Sequence, residues 1–171
     1  PPERVGTLHS LCYKAIGTPP VAESKTDEWN REHSSYALSV QKPKGGLDDP
    51  YDTSAVSERT PADDLHARAD VLRQRLIPRD RWPEQVKRFQ EARDKWMEEA
   101  GYVDFTGMIE HANAYVARAP GGPEVLIVDE AQDSSALELA LIREWASASS
   151  YVVLAGDSDQ AIYSFRGATP D

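Results

Sequence analysis

The sequence has a single cysteine, Cys12, so no disulfide can form within the chain and the fold cannot depend on one. No run of about 18 apolar residues occurs, which removes a membrane-spanning helix. The opening Pro1-Pro2-Glu3-Arg4 has neither the basic start nor the apolar stretch of a secretory leader. A soluble cytoplasmic protein with no membrane partner is the plain expectation. There is no internal repeat and no initiator methionine. The latter suggests that the 171 residues begin inside a longer chain, although trimming would look the same. Positive charge is scarce: 19 Lys and Arg stand against 29 Asp and Glu, a net charge of -10. That balance argues against a general nucleic-acid glue, which is normally basic. It leaves room for a nucleic-acid path confined to a narrow groove, because net charge reports the whole surface. What is present is enough apolar residue, 40% of the chain, to build a core under a very polar surface (mean hydropathy -0.59).

Texture divides the chain into four parts. Residues 5–16 read as a strand end turning into a helix. Residues 17–60 are rich in Pro, Gly, Ser and charge without a sustained period. So long an irregular stretch in a compact domain points to a surface insertion pinned by Trp29, Tyr36 and Tyr51, or to partial disorder. Residues 60–118 read as helical. Thr60 is placed to cap a first helix, with Pro61 in its first turn and Asp63 as the capping-box acid. Leu65, Ala69, Leu72 and Leu76 mark its face, and Pro78 follows it. Trp82, Val86, Phe89, Trp96 and Ala100 mark a second helical face stopped by Gly101. Asp104 is placed to cap a third helix carrying Phe105, Met108, Ile109 and Ala112. At helical spacing, Trp82, Trp96 and Trp145 are expected in the core rather than as stacking platforms. The basic stretches 73–81 and 87–95 read as solvated helical faces, because acids are interleaved.

Past Pro120-Gly121-Gly122-Pro123 the character changes. The apolar run 125–128 suits a strand covered on both faces. Ser134 or Ser135 can cap a helix bearing Leu137, Leu141 and Trp145 one turn apart. Residues 151–155 form a second buried strand ending at Gly156-Asp157. Strand, helix, strand implies a crossover in a parallel sheet.

Two motifs sit at the ends of those strands. Asp129-Glu130-Ala131-Gln132-Asp133 follows the first, where ligands bind in open parallel sheets. One acid there can hold Mg²⁺ through its water shell, and the next can orient or deprotonate a water. A solvated acidic turn leading into the next helix would look similar. The second motif is Gly156-Asp157-Ser158-Asp159-Gln160-Ala161-Ile162-Tyr163-Ser164-Phe165-Arg166-Gly167-Ala168. Taken in order, the two resemble the second and third motifs of superfamily 1 DNA helicases of the UvrD/Rep/PcrA group. Thr7-Leu8-His9-Ser10 resembles that family's Thr-x-His-Ser/Gly element, and Val103 to Ile109 is similar to its Asp-Phe-x-x-Leu/Ile segment.

The resemblance implies an α/β piece, a partial RecA-like parallel sheet of the P-loop NTPase type with a mainly helical inserted subdomain. Residues 1–16 and 119–171 would belong to the ATPase domain, and 17–118 would be the insertion, irregular over 17–60. It implies ATP and Mg²⁺ as cofactors, with Asp129 at the metal, Glu130 as catalytic base and Gln160 sensing the γ-phosphate. Tyr163 and Phe165 would stack on single-stranded DNA. Phe165 stands where the family often has Trp, and Ala161 where Ser is more frequent. Arg166 would bind phosphate or couple the two sites. Thr7, His9 and Ser10 would contact the DNA backbone. Single strands, duplex junctions and the remainder of a helicase chain are the implied partners. For Thr7 and His9 an ordinary helix start is the competing reading; for Tyr163 and Phe165 it is core packing.

No Gly-x-x-x-x-Gly-Lys-Ser/Thr loop occurs in the 171 residues, and in the family an arginine finger follows the third motif. The leading expectation is therefore a piece of an ATP-driven DNA translocase. A split or degenerate helicase piece that only binds DNA or protein is the second reading, and part of a helicase–nuclease of recombination repair the third. So small a sheet would also leave apolar faces open for an association or a partner segment. The chain by itself is expected to show no DNA-stimulated ATP hydrolysis in a phosphate-release assay. Turnover that disappears with Glu130→Gln would refute this.

Overall fold

The computed structural model describes residues 5–40 and 59–157. In the described residues the chain runs α1 (Leu8–Ala15), α2 (Thr26–Glu32), α3 (Pro61–Gln74), α4 (Glu84–Ala100), α5 (Phe105–Tyr115), β1 (Val125–Val128), α6 (Ala136–Ser147) and β2 (Tyr151–Leu154). Local chemistry sets most of these boundaries. Thr7 caps α1 by accepting the Ser10 N–H. The Thr60/Asp63 capping box starts α3 with Pro61 in its first turn. Gly101 ends α4 in the left-handed region (φ 69°), where a residue without Cβ avoids strain. Asp104 caps α5, and a Ser135/Glu138 capping box starts α6.

Two cores result. Cys12 of α1, Met108, Ile109 and Ala112 of α5, and Leu137, Leu141 and Trp145 of α6 share the first. Burial there, reinforced by nearby Glu138, pushes the Cys12 thiol up to about 12. The second gathers Trp29, Phe89, Trp96, Met97 and Ala62, with Ala69, Trp82 and Val86 forming a satellite beside it. Three tryptophans are fixed by their indole N–H groups. Trp29 donates to the Tyr36 carbonyl, Trp82 to Ile77 and Trp145 to Val116, each at 2.8 Å. The core placement of Trp82, Trp96 and Trp145 read from spacing is found, and Trp29 joins them fully buried.

Part of the stretch expected to be irregular is ordered. Residues 21–40 contain α2, and Val21 bridges Val103: Ala22 N–H donates to the Val103 carbonyl at 2.8 Å, and Val103 N–H donates to Pro20 at 3.0 Å. Trp29, expected to pin the segment, is its fully buried apolar anchor. Tyr36 packs against the same core, whereas Tyr51 lies outside the described residues.

Other expectations are corrected. No strand forms near residue 5; Val5, 82% exposed, and Gly6 bend into α1. Leu76 lies beyond α3 at φ 55° and is exposed, as are Ala100 and Phe105, so each apolar face is shorter than its sequence pattern. The stretches 73–81 and 87–95 are not simply solvated faces: Arg73 and Arg93 are 6% and 2% exposed. The sheet is a parallel pair, with Val125 opposite Tyr151 and Val128 opposite Leu154. Its strands are not covered on both faces. Leu126 and Val128 are half-buried, Ile127 is 68% exposed, and all of β2 is exposed. Among the described residues the packed side chains lie on one side of β1, so a run that reads as doubly buried is only half covered.

The two cores are joined through a buried ion pair. Arg73 of α3 holds Asp104 with both terminal nitrogens (2.6 and 2.9 Å) and Glu110 through Nε and Nη2 (3.0 and 2.7 Å). Asp104 Oδ1 also accepts the Gly107 N–H at 2.6 Å. A Cβ at Gly107 would lie 2.7 Å from that oxygen, so the bare glycine makes room for the cluster. Burial alone would raise the Asp104 carboxyl, but the Arg73 hydrogen bonds and charge hold it below the usual carboxylate range. Its contribution to stability is therefore present above the unfolded pKa of about 3.9, and is lost as pH falls through the lower folded value. Asp104→Ala is expected to cost about 3–5 kcal/mol in urea unfolding, because Arg73 is left buried and short of its partner. Adding Arg73→Met should recover part of that loss.

Candidate functional site

The C-terminal ends of β1 and β2 lie side by side, and the loops leaving them are fastened together. Ala155 N–H donates to the Val128 carbonyl at 2.8 Å, and Ala131 N–H donates to Ala155 at 2.9 Å. Beyond this ladder the chain needs a sharp turn to enter α6, and it makes one at Glu130. That residue adopts φ 54°, ψ 38°, a left-handed conformation costly for a residue with a Cβ. Its N–H is held by Asp129 Oδ1 at 3.0 Å. Strained backbone of this kind persists where its surroundings fix it, and it concentrates at functional sites. A short 3-10 turn, Ala131–Asp133, then leads to the Ser135 cap of α6.

Asp129 and Glu130 are both exposed at this tip, and one Asp129 oxygen is used by the turn. Gln132 connects the two loops: its Nε2 donates to Glu130 Oε2 at 2.6 Å, and its Oε1 accepts the Asp157 N–H at 3.1 Å. Gly156 makes this possible, because a Cβ there would run into Gln132 Oε1 and press on the Ala131 and Gln132 amides. Neither Gln132 nor Gly156 stood out as a site residue in the sequence. The available signal was a glycine directly after an apolar run, which marks a close backbone approach. Asp133 adds a buried Oδ1 without a partner among the described residues.

Thr7 and Asp129 are brought to the walls of one cavity of about 520 Å³, between the start of α1, the outer edge of β1 and α6. Thr7 and Ser10 are also occupied locally: Thr7 Oγ1 accepts the Ser10 N–H at 3.2 Å, and Ser10 Oγ donates to the Thr7 carbonyl at 2.9 Å. The helix-start reading of this element is thus found. His9 is half-buried, with its ring edge-on to Phe105 at 6.2 Å. Gln160, Tyr163, Phe165 and Arg166 lie outside the described residues.

Hard oxygen donors at an exposed tip suit a hydrated Mg²⁺, which takes few protein ligands. Among the described residues no group of three or more potential ligands converges, so any metal here would be held by Asp129 together with water and a substrate's own oxygens.

A family model of the UvrD/REP helicase N-terminal domain matches residues 2–171. The chain belongs to this family. The UvrD-type domain is 25% identical over 178 residues to a putative ATP-dependent DNA helicase, YjcD, of Bacillus subtilis, covering 96% of the chain and 23% of that protein. It is 33% identical over 94 residues to DNA helicase II of Escherichia coli, covering 51% and 12%. Against the ATP-dependent DNA helicase Rep of Buchnera aphidicola it is 49% identical over 45 residues, 26% and 7%. The chain thus spans less than a quarter of the length of these relatives. None of the helices in the described residues is long and apolar enough to cross a membrane.

The Gln132 bridge gives a direct test of the geometry. Gly156→Ala should destabilise the UvrD-type domain by about 0.5–1.5 kcal/mol, by displacing the Gln132 amide from the Asp157 N–H. In a Gln132→Ala background most of that cost should vanish. Urea unfolding of the four proteins in this double-mutant cycle measures the coupling.

Proposed function

We propose that the chain is part of the motor of an ATP-dependent DNA helicase, acting where ATP hydrolysis is coupled to movement on single-stranded DNA. The observation that carries this reading is the Asp129-Glu130 pair at the tip of a parallel strand, tied through Gln132 to the loop that leaves the neighbouring strand. Residues 1–16 and 119–171 are assigned to a RecA-like ATPase domain, and 17–118 to a helical insertion. The longer relatives, which bear helicase names, support the helicase reading.

Bound Mg²⁺ would neutralise charge on the transferring phosphoryl group. Asp129 is assigned to hold it. Glu130 is assigned as the general base, taking a proton from the attacking water on a carboxylate oxygen; its left-handed turn fixes the direction of that side chain. Gln160 is assigned to the γ-phosphate. Thr7, His9 and Ser10 are placed on the DNA backbone, and Tyr163 and Phe165 on the bases, where each stacked ring contributes about 1–3 kcal/mol without regard to sequence. Arg166 is assigned to the junction between nucleotide and DNA. In this arrangement Gln132 transmits the state of Glu130 to Asp157, three residues ahead of Gln160.

In the full helicase containing this chain, Glu130→Gln should lower the DNA-stimulated kcat by about 10²–10⁴-fold while ATP still binds. Steady-state hydrolysis and nucleotide-binding titration check this. Unchanged kcat would remove Glu130 from the chemistry and with it the motor assignment.

A further inference from the structure

Arg93 is as deeply buried as Arg73 but is treated differently by its surroundings. Arg73 is saturated with carboxylates, whereas Arg93, 2% exposed, makes no ion pair among the described residues and leaves Nε without a hydrogen-bond partner. Its guanidinium lies over the rings of Trp29 (5.3 Å) and Trp96 (5.8 Å), which face the cation while Nε stays unsatisfied. A buried cation in this state is costly, and buried polar groups almost always find partners. Arg93 lines an open cavity of about 590 Å³ between residues 23–27, residues 38–40 and α3.

Glu23 lines the same cavity. Its Oε1 accepts the Phe105 N–H at 3.0 Å, while its Oε2 is buried and unpartnered. Glu23 and Arg93 thus line one space with opposite charges, and each keeps a buried polar atom without a partner among the described residues. The other acids on the walls are accounted for. Asp63 is consumed by the Thr60 and Ser39 amides, and Asp27 is exposed to solvent. His66, also on the wall, is kept toward its neutral form by burial, so among the described residues Arg93 is the cation that lines the cavity.

We propose that this cavity is a phosphate-binding site in which Arg93 donates to the phosphate oxygens and Glu23 accepts the hydroxyl of a hydrogen phosphate group. A planar, doubly donating guanidinium matches a phosphate edge, and charge-assisted bonds of this type are the stronger kind. Glu23 supplies discrimination. Its carboxylate accepts from an oxyanion that carries a proton and repels one that does not. This site shares no lining residue with the cavity at Asp129 and does not depend on the motor assignment.

Isothermal titration of the full 171-residue chain at pH 6.5 and fixed ionic strength tests it. Inorganic phosphate should bind saturably at one site, with sulfate about tenfold weaker or more. Arg93→Met should weaken phosphate by about tenfold or more with an unchanged far-ultraviolet circular dichroism spectrum. Should that variant fail to fold, Arg93→Lys, which keeps the charge but loses the fork, is expected to show the same weakening. Glu23→Gln, able to donate, should bring sulfate level with phosphate. Glycerol phosphate titrated alongside identifies the source: tighter binding than the free ion assigns the phosphate to a larger ligand, and weaker binding assigns it to the ion itself. Absence of saturable phosphate binding, equal binding by a folded Arg93 variant, or sulfate as tight as phosphate in the unaltered chain would each overturn the proposal.

Discussion

The structure depends on a charge that cannot be left alone. Arg73 is buried between α3 and α5, and an unpaired guanidinium there would cost more than the rest of the local packing returns. Asp104 answers it with both oxygens while also capping α5, so one carboxylate performs two tasks. Because Val103, the next residue back, is bridged to Val21, fixing Asp104 also fixes where the chain leaving α1 returns. The helical unit around Trp29 and the core around Cys12 and Trp145 are thereby held in one relation. Glu110, Asp70 and the bare Gly107 complete the cluster, and the space at Gly107 is as necessary as the charges.

The same logic explains why the two strands can be both real and incomplete. Their parallel ladder and the Gln132 bridge define the tip that carries Asp129 and Glu130. Yet β2 is exposed throughout, and alternate residues of β1 point to solvent. The apolar content of both strands exceeds what the described residues cover. The chain itself spans less than a quarter of the length of its helicase relatives.

The candidate site is built from local and long-range devices. The strained turn at Glu130 is local, produced by the residues on either side of it. The union of the two strand tips is long-range, requiring Gln132 and Gly156 to meet across 24 residues of sequence. The two acids alone do not make this tip; the Gln132 bridge ties their loop to the one leaving β2.

Caps, helix boundaries and strand positions were legible in the sequence because each rests on near neighbours. Thr60 with Asp63, Asp104 with Gly107, and Gly101 at its positive φ are decided within one turn of chain. The family motifs were legible for the same reason, being contiguous. Sequence alone therefore determined the order of elements from residue 60 onward, the parallel strand pair and the acids at its tip. It did not determine which arginines would be buried, that residues 26–32 would form a helix around the Trp29 anchor, or that the strands would be covered on one side only. Those outcomes depend on which surfaces meet after folding. Charge spacing along a helix carries no record of a partner 31 residues away, and only the packed structure decided that Arg73 would be satisfied and Arg93 would not.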